Sequence, residues 1–337
     1  MSVNLNGDMS QWTLGTVFAP CASGQMLADS WRLHNASAAV LTARKSADVP
    51  GLTICGRVIH SSLEIEVTAA DASVGASDVT AITYRGEGSE WAELAEFATE
   101  KRIWVKTNVS GVYHLTLSNG PETLCCSQPF TVAYADLWTP VTVNFPPATG
   151  ILGTDWWVDT RVGYTLSVTL CAGSGVQGSV GTWESGVKFG GVQQVNFNAT
   201  VGNKFKIAGL RVRRADDAGP DFFQPPEMTE LTCLRYLEKS FGNGVTPVTG
   251  AGWASGPLHV TSTVAGAAAQ PLAVTRLFPK RKAPAITGYN VLNANAQAVT
   301  ASHGDCSATT FDQITNVSFR LVTTTPAAAV FGESIGV

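Results

Sequence analysis

Apolar residues return at every second position in a series of short runs, each closed by Gly, Pro, Ser, Asn or Asp. From Lys204 to Ile207 the alternation sets Phe205 and Ile207 against Lys204 and Lys206, and a period of two places the two sets on opposite faces of a strand. Runs at Val40 to Ala43, Leu52 to Val58, Leu63 to Val67, Ile103 to Thr107, Val112 to Leu117, Phe130 to Tyr134, Val141 to Phe145, Tyr164 to Leu170, Val192 to Phe197 and Lys204 to Val212 predict strands. Ten strands within ~215 residues predict two packed antiparallel sheets, a jelly-roll sandwich.

One stretch in this part changes period. In Ser89 to Phe97 and on to Ala98, the residues Trp91, Leu94 and Ala98 fall at helical spacing, and Ser89 can serve as N-cap. So short a helix is expected to pack Trp91 and Leu94 over a sheet edge, where it also blocks strand addition. Past a proline-bounded loop, Thr229 to Ser240 predicts one or two helical turns, followed by a stretch marked by Gly242, Gly244 and Gly250. Further strands are expected at Leu258 to Val264, Leu272 to Leu277, Ala285 to Tyr289 and Val317 to Thr323. The chain therefore reads as all-β: a sandwich over 1–215, a hinge with a short helix over 216–245, and a smaller C-terminal β domain over 246–337. So few strands, rich in Ala and Gly, bury a thin core as a monomer, so copies of the chain are expected to complete it, in a closed ring.

Composition agrees. Charged residues make up 14% of the chain, where about 25% is usual, and 33 Gly with 16 Pro supply frequent turns. The net charge is -4, and basic residues cluster only at Arg211 to Arg214 and Lys280 to Lys282, so the continuous basic field of a nucleic-acid binder is absent and no nucleic-acid partner is expected. No stretch approaches the ~20 apolar residues of a bilayer span, and the N-terminus lacks the basic and apolar regions of a secretory signal.

Candidate chemistry is sparse. His34, His60, His114, His259 and His303 stand singly, so neither a metal site nor a catalytic triad is expected, and no cofactor. Asn6, Asp8 and Asp29 offer oxygen ligands near the chain start but lack the dense acidic loop of a dedicated calcium site. Seven cysteines show no zinc spacing. The adjacent Cys125 and Cys126 cannot easily bond to each other; they read either as buried small hydrophobes or, given the odd count, as partners in an inter-subunit disulfide. Asp155 and Asp159 flank Trp156 and Trp157, and Glu184 follows Trp183, which places acids beside aromatics. A hydrolase could use paired acids, but sugar binding is the preferred reading and no enzymatic activity is expected. Aromatic faces stack on the apolar face of a pyranose while polar neighbours take its hydroxyls, so Trp156, Trp157, Asp155, Asp159 and Arg161 are the candidate glycan-binding residues. Alternation turns Trp156 and Trp157 to opposite faces, so at least one of them belongs to a core.

An ordered set of motifs carries a family resemblance: Asn4 to Trp12, Asp29 to Arg32, Lys101 to Asn119, Trp138 to Val143, Tyr164 to Val168, Trp183, the strand Lys204 to Arg214, the segment Phe222 to Phe241, and Leu277 to Thr287. In this order they resemble a bacteriophage virion family with a carbohydrate-binding-module-like jelly-roll, a hinge and a C-terminal β domain. The departure is at the end of the strand before the hinge, where Arg211, Arg213 and Arg214 stand in place of an acidic residue. The resemblance implies a structural protein of tail, neck or head fibre, exposed on the particle surface after synthesis in the host cytoplasm. It further implies a homotrimer in contact with other virion proteins and host surface glycans. The alternative is a non-adhesive capsid decoration, cement or neck/collar protein that stabilises the particle.

Overall fold

A computed structural model describes residues 5–148, 156–217, 225–252, 259–261, 263, 265–275, 278–293, 299–302, 304–330 and 334–336. The chain forms two compact units, Met1–Glu230 and Leu231–Val337. The first contains β1 (Val17–Phe18), β2 (Trp31–Asn35), β3 (Val40–Ser46), α1 (Leu52–Cys55), β4 (Ser62–Ala69), β5 (Val79–Glu87), α2 (Gly88–Trp91), β6 (Thr99–Thr107), β7 (Gly111–Asn119), β8 (Leu124–Val132), β9 (Thr139–Phe145), β10 (Val162–Ala172), β11 (Trp183–Ser185) and β12 (Lys204–Arg214). One antiparallel sheet runs β1-β3-β4-β12-β6-β9, the other β11-β8-β7-β10-β5-β2. Their inner faces share one core, with Ile65, Val105 and Phe205 from the first sheet and Tyr84, Leu117 and Val168 from the second. This is the antiparallel jelly-roll sandwich expected from the alternation.

Strand β12 shows how the pattern encodes the pairing. Phe205 and Ile207 enter the core and Lys204 and Lys206 face away from it, but beyond Ala208 the parity reverses and Leu210 and Val212 are the residues that enter the core. The cause is a register shift between Ala208 and Arg211 against β6. Gly209 takes φ 63 there, a left-handed conformation that glycine tolerates, and one extra residue switches the face of everything after it. Arg211 and Arg213 thereby reach the outer face, where both pair with Glu100, while Arg214 pairs with Asp216 and lies over the ring of Phe97. The basic cluster is matched by carboxylates. The same outer face carries a cross-strand network in which Arg44 meets Glu64 and Glu66, Lys206 meets Glu64 at 3.0 Å, and Asp48 binds Lys206, Lys106 and Trp138. Burial alone would raise the Asp48 carboxyl; hydrogen bonds from Lys206, Lys106 and Trp138 outweigh it and hold it well below the usual carboxylate range.

Within the core lies a fully buried lysine. Lys101 on β6 bonds Thr99 Oγ1 and rests 5.1 Å from the ring centre of Trp91 and 5.2 Å from that of Phe145. Burial holds its ammonium well below the usual lysine range despite the two aromatic faces. Between that depressed value and the unfolded ~10.4, the unfolded chain binds one proton more than the native chain, so stability rises with pH by up to ~1.4 kcal/mol per unit. Lys101→Met should raise the melting temperature at pH 7 and flatten its rise toward pH 10; an unchanged slope in the variant would show that Lys101 is not the group responsible.

Two predicted strands of the first unit do not form. Leu52 to Val58 contains the single turn α1, closed by Gly56 in the left-handed region, and Leu52, Ile54 and Val58 remain exposed at 58%, 61% and 62%. Val192 to Phe197 makes only an isolated bridge from Gln194 to Val112, and Val192 is 91% exposed. Helix α2 occupies Gly88–Trp91, one turn of the longer run expected, and Ser89 is not its N-cap; Trp91 and Leu94 join the main core rather than covering an edge.

Helix α3 (Pro226–Cys233) starts three residues before the predicted turn because proline suits a first helical position. The second unit holds β13 (His259–Thr261), β14 (Ala269–Thr275), β15 (Thr300–Ala301), β16 (Gly304–Asp305), β17 (Ser307–Asp312), β18 (Ser318–Thr324) and β19 (Ser334–Gly336), in sheets ordered β13-β19-β15-β16 and β14-β18-β17. Its buried cluster is Val299, Ala301, Cys306 and Leu321, with Phe311 and Phe319 half-buried against it. Lys280 bonds Leu234 O and Glu238, so this basic run too has a carboxylate partner. Ala285 to Tyr289 forms no strand.

Candidate functional site

The segment between β9 and β10 carries the candidate residues, and glycines fix its end. A Cβ on Gly88 would lie 1.9 Å from Trp157 O, one on Gly163 would lie 2.2 Å from Gly88 Cα, and one on Gly120 would lie 1.8 Å from Val162 O and 2.9 Å from Trp157 Cε3. Only side-chain-free residues allow these backbones to touch. Gly88 N and Ser89 N donate to Arg161 O and Asp159 O, both at 2.9 Å, while Gly120 N donates to Gly163 O. The loop from Trp157 to Arg161 is thereby bound to the start of α2 and the end of β7.

On this anchored loop, Trp157 is half-buried, and the Arg161 guanidinium carbon lies 4.3 Å from its ring centre. Arg161 Nε donates to both oxygens of Asp159, at 3.0 and 2.9 Å, and its backbone N–H donates to Asp159 Oδ1 at 2.8 Å. Those hydrogen bonds from Arg161 hold the Asp159 carboxyl below its ordinary range, so it stays ionised at neutral pH and has no proton to give as a general acid. The pair stands open to solvent. Among the described residues the Arg161 Nη groups carry no hydrogen bond and remain available to a ligand.

Trp156 is a correction to the candidate set. It is 2% exposed, stacks on Trp91 at 4.9 Å and meets Trp183 edge-on at 5.6 Å. Trp91 touches Tyr164, which leads to Tyr84 and Trp31, so Trp156 belongs to a continuous buried aromatic row and offers no face to a ligand. Asp155 lies outside the described residues. Glu184 sits on β11 opposite Cys125, and the acid-beside-aromatic reading reduces to Trp157, Asp159 and Arg161.

Of the two readings of Cys125 and Cys126, the structure favours buried small hydrophobes over an inter-subunit disulfide. All seven thiols are free, Cys125 and Cys126 are fully buried, and burial pushes the Cys126 thiol up to about 12. Sheet register explains it: Cys126 faces Leu117 within the core, and Cys125 accepts from Lys188 N. Neither reaches a surface where another subunit could meet it. Asn6 and Asp29 serve as hydrogen-bond hubs for the N-terminal turn, with Asn6 Nδ2 donating to Gln11 O and Asp29 O and the Asp29 carboxylate accepting from Thr13. Among the described residues, no group of three or more His, Cys, Asp or Glu side chains is placed to hold a metal ion, and no helix is long and apolar enough to cross a membrane.

No family model matches the chain, and no curated protein matches it. Similar solved structures include an arabinose-bound α-L-arabinofuranosidase, 14% identical, covering 61% of this chain and 27% of that one, with a TM-score of 0.33. They include a family 11 carbohydrate-binding module of a cellulosomal cellulase of Clostridium thermocellum, 10% identical, covering 60% and 96%, with a TM-score of 0.31. A carbohydrate-binding module in complex with β-1,4-galactotriose is 10% identical, covers 55% and 88%, and has a TM-score of 0.28. The chain thus spans about a quarter of the arabinofuranosidase and most of each module. The sandwich architecture rests on the strand pairing described above.

Proposed function

We propose that this chain is a bacteriophage virion protein of fibre type, whose sandwich presents a glycan-binding surface and whose C-terminal unit joins copies of the chain, as a homotrimer, to other virion proteins. The ordered motifs from Asn4 to Thr287 support the virion reading, and the few, Ala- and Gly-rich strand runs expected of the C-terminal segment support completion by other copies. One observation carries glycan binding: a glycine-anchored loop holds Trp157 beneath an exposed guanidinium whose Nη donors are unspent among the described residues. An aromatic ring backed by a planar donor fork suits a sugar, which offers an apolar C–H face edged with hydroxyls. The role is non-enzymatic, on the outside of a particle.

The test is binding of the purified full chain to host cells and to an array of immobilised glycans, with competition against phage adsorption. Saturable binding that falls about fivefold in Trp157→Ala, with circular dichroism unchanged, is the expected result, since aromatic stacking contributes on the order of 1 kcal/mol. No binding to cells or glycans would favour the second reading, a non-adhesive decoration, cement or collar protein. That reading has its own support in Leu52, Ile54 and Val58, three exposed apolar side chains on one segment that a neighbouring protein could cover.

A further inference from the structure

The second sheet has an outer face as well as a core face. Trp31, Leu33, Ile82, Tyr84, Leu166 and Val168 enter the core, so alternation turns Arg32, His34, Thr83, Arg85, Thr165 and Ser167 outward. Register places Arg32 opposite Thr83, Thr83 opposite Ser167, and Arg85 opposite Thr165. Arg85 is therefore the diagonal neighbour of Arg32, at roughly 7 to 8 Å between backbones and within reach of long side chains.

These two arginines differ from the cations of the first sheet. There Arg44, Lys106, Lys204, Lys206, Arg211 and Arg213 all meet carboxylates. Arg32 donates Nη1 to Gly24 O at 2.9 Å, and neither it nor Arg85 forms an ion pair among the described residues. Burial and then the Arg85 charge lower the Arg32 guanidinium. Burial is also the largest influence lowering His34, with Glu122 opposing it and Arg85 adding to it. Two like charges thus stand side by side, with the Arg85 donors, and the Arg32 donors other than the one that bonds Gly24 O, unspent among the described residues, above a floor of nearly buried Thr83, Thr165 and Ser167. His34, stacked on Phe189 with ring centres 5.2 Å apart, closes one side.

We propose that this face binds an acidic saccharide, with a sugar carboxylate, sulfate or phosphate ester seated between Arg32 and Arg85. The inference rests on the glycan-binding reading and names its ligand class. Arginine forks match planar or tetrahedral anions through paired N–H donors, and an anion here relieves the repulsion between the two guanidinium groups. A chain of net charge -4 does not attract polyanions as a whole, so retention of an acidic glycan must come from a local site such as this one. Arg161 begins the approach to β10 four residues before Thr165, ~13 Å along the strand, so one extended glycan could meet both places.

The experiment titrates the full chain with polygalacturonate, dextran sulfate and neutral dextran, with duplex DNA as a polyanion lacking the saccharide, in wild type, Arg32→Gln, Arg85→Gln, the double variant and Trp157→Ala. Wild type should bind one acidic polymer at least tenfold tighter than dextran and DNA. Each single arginine variant should lose about tenfold, and the polymer preferred separates carboxylate from ester recognition. Equal binding of neutral and acidic polymers, full retention in the double variant, or equal binding of DNA would overturn the proposal while leaving glycan binding intact. If no saccharide binds any form, in this panel or on the glycan array, the glycan-binding reading itself falls.

Discussion

Trp156→Ala should lower the unfolding free energy by about 3 to 5 kcal/mol, the usual range for emptying a buried aromatic site. Trp156 is packed between the face of Trp91 and the edge of Trp183, and the row continues through Tyr164 to Tyr84 and Trp31. Its removal leaves a cavity beside the single turn α2, which is too short to hold its place without packing. Trp156→Phe separates packing from polarity. The indole N–H of Trp156 is buried with no hydrogen-bond partner among the described residues, so losing it breaks no bond described there, and the phenylalanine variant should lose clearly less than the alanine variant. Trp157→Ala, at a half-buried position on the neighbouring loop, should cost less stability than Trp156→Ala while removing the ligand platform. Urea unfolding followed by circular dichroism decides the matter: a Trp156→Ala protein with a wild-type midpoint would remove Trp156 from the core.

That contrast marks how far the sequence could be read. Alternation implies that adjacent tryptophans diverge, but which one faces the core depends on where α2 and β11 bring Trp91 and Trp183, and those are long-range contacts. Strand β12 was legible because its apolar and basic residues alternate, and its reversal of parity was written in Gly209, whose role appears only once pairing with β6 is known. Leu52 to Val58 alternates equally well yet stays outside any sheet, because Gly51 and Gly56 bound a single helical turn. Strand β5 went unpredicted although Val79, Ala81 and Ile82 are fully or nearly buried: small and polar residues between them weaken its apolar period, and Arg85 was missed with it. The pairing of Arg85 with Thr165 needs the β10 register, which no local pattern supplies.

Gly163→Ala should be more damaging still, costing at least ~3 kcal/mol or preventing folding. Overpacking against movable side chains typically costs about 1 to 3 kcal/mol, and here the obstacle is backbone. The new Cβ would lie 2.2 Å from Gly88 Cα, 2.5 Å from Gly88 N and 2.9 Å from Trp157 O. None of these atoms can turn aside by a rotamer change, and Gly88 is itself held by its N–H bond to Arg161 O. Relief requires β10 to separate from the start of α2, which moves the loop bearing Trp157, Asp159 and Arg161 and should abolish ligand binding in whatever folded fraction remains. Gly56→Ala is the matched control. Gly56 has φ 74, and a Cβ added to it would meet nothing within 4 Å, so alanine there incurs only left-handed backbone strain of about 1 to 2 kcal/mol and leaves the loop untouched. If Gly163→Ala folds with the stability of Gly56→Ala and keeps glycan binding, the three-glycine junction does not anchor the site, and the orientation of Trp157 must be set by its contact with Arg161 alone.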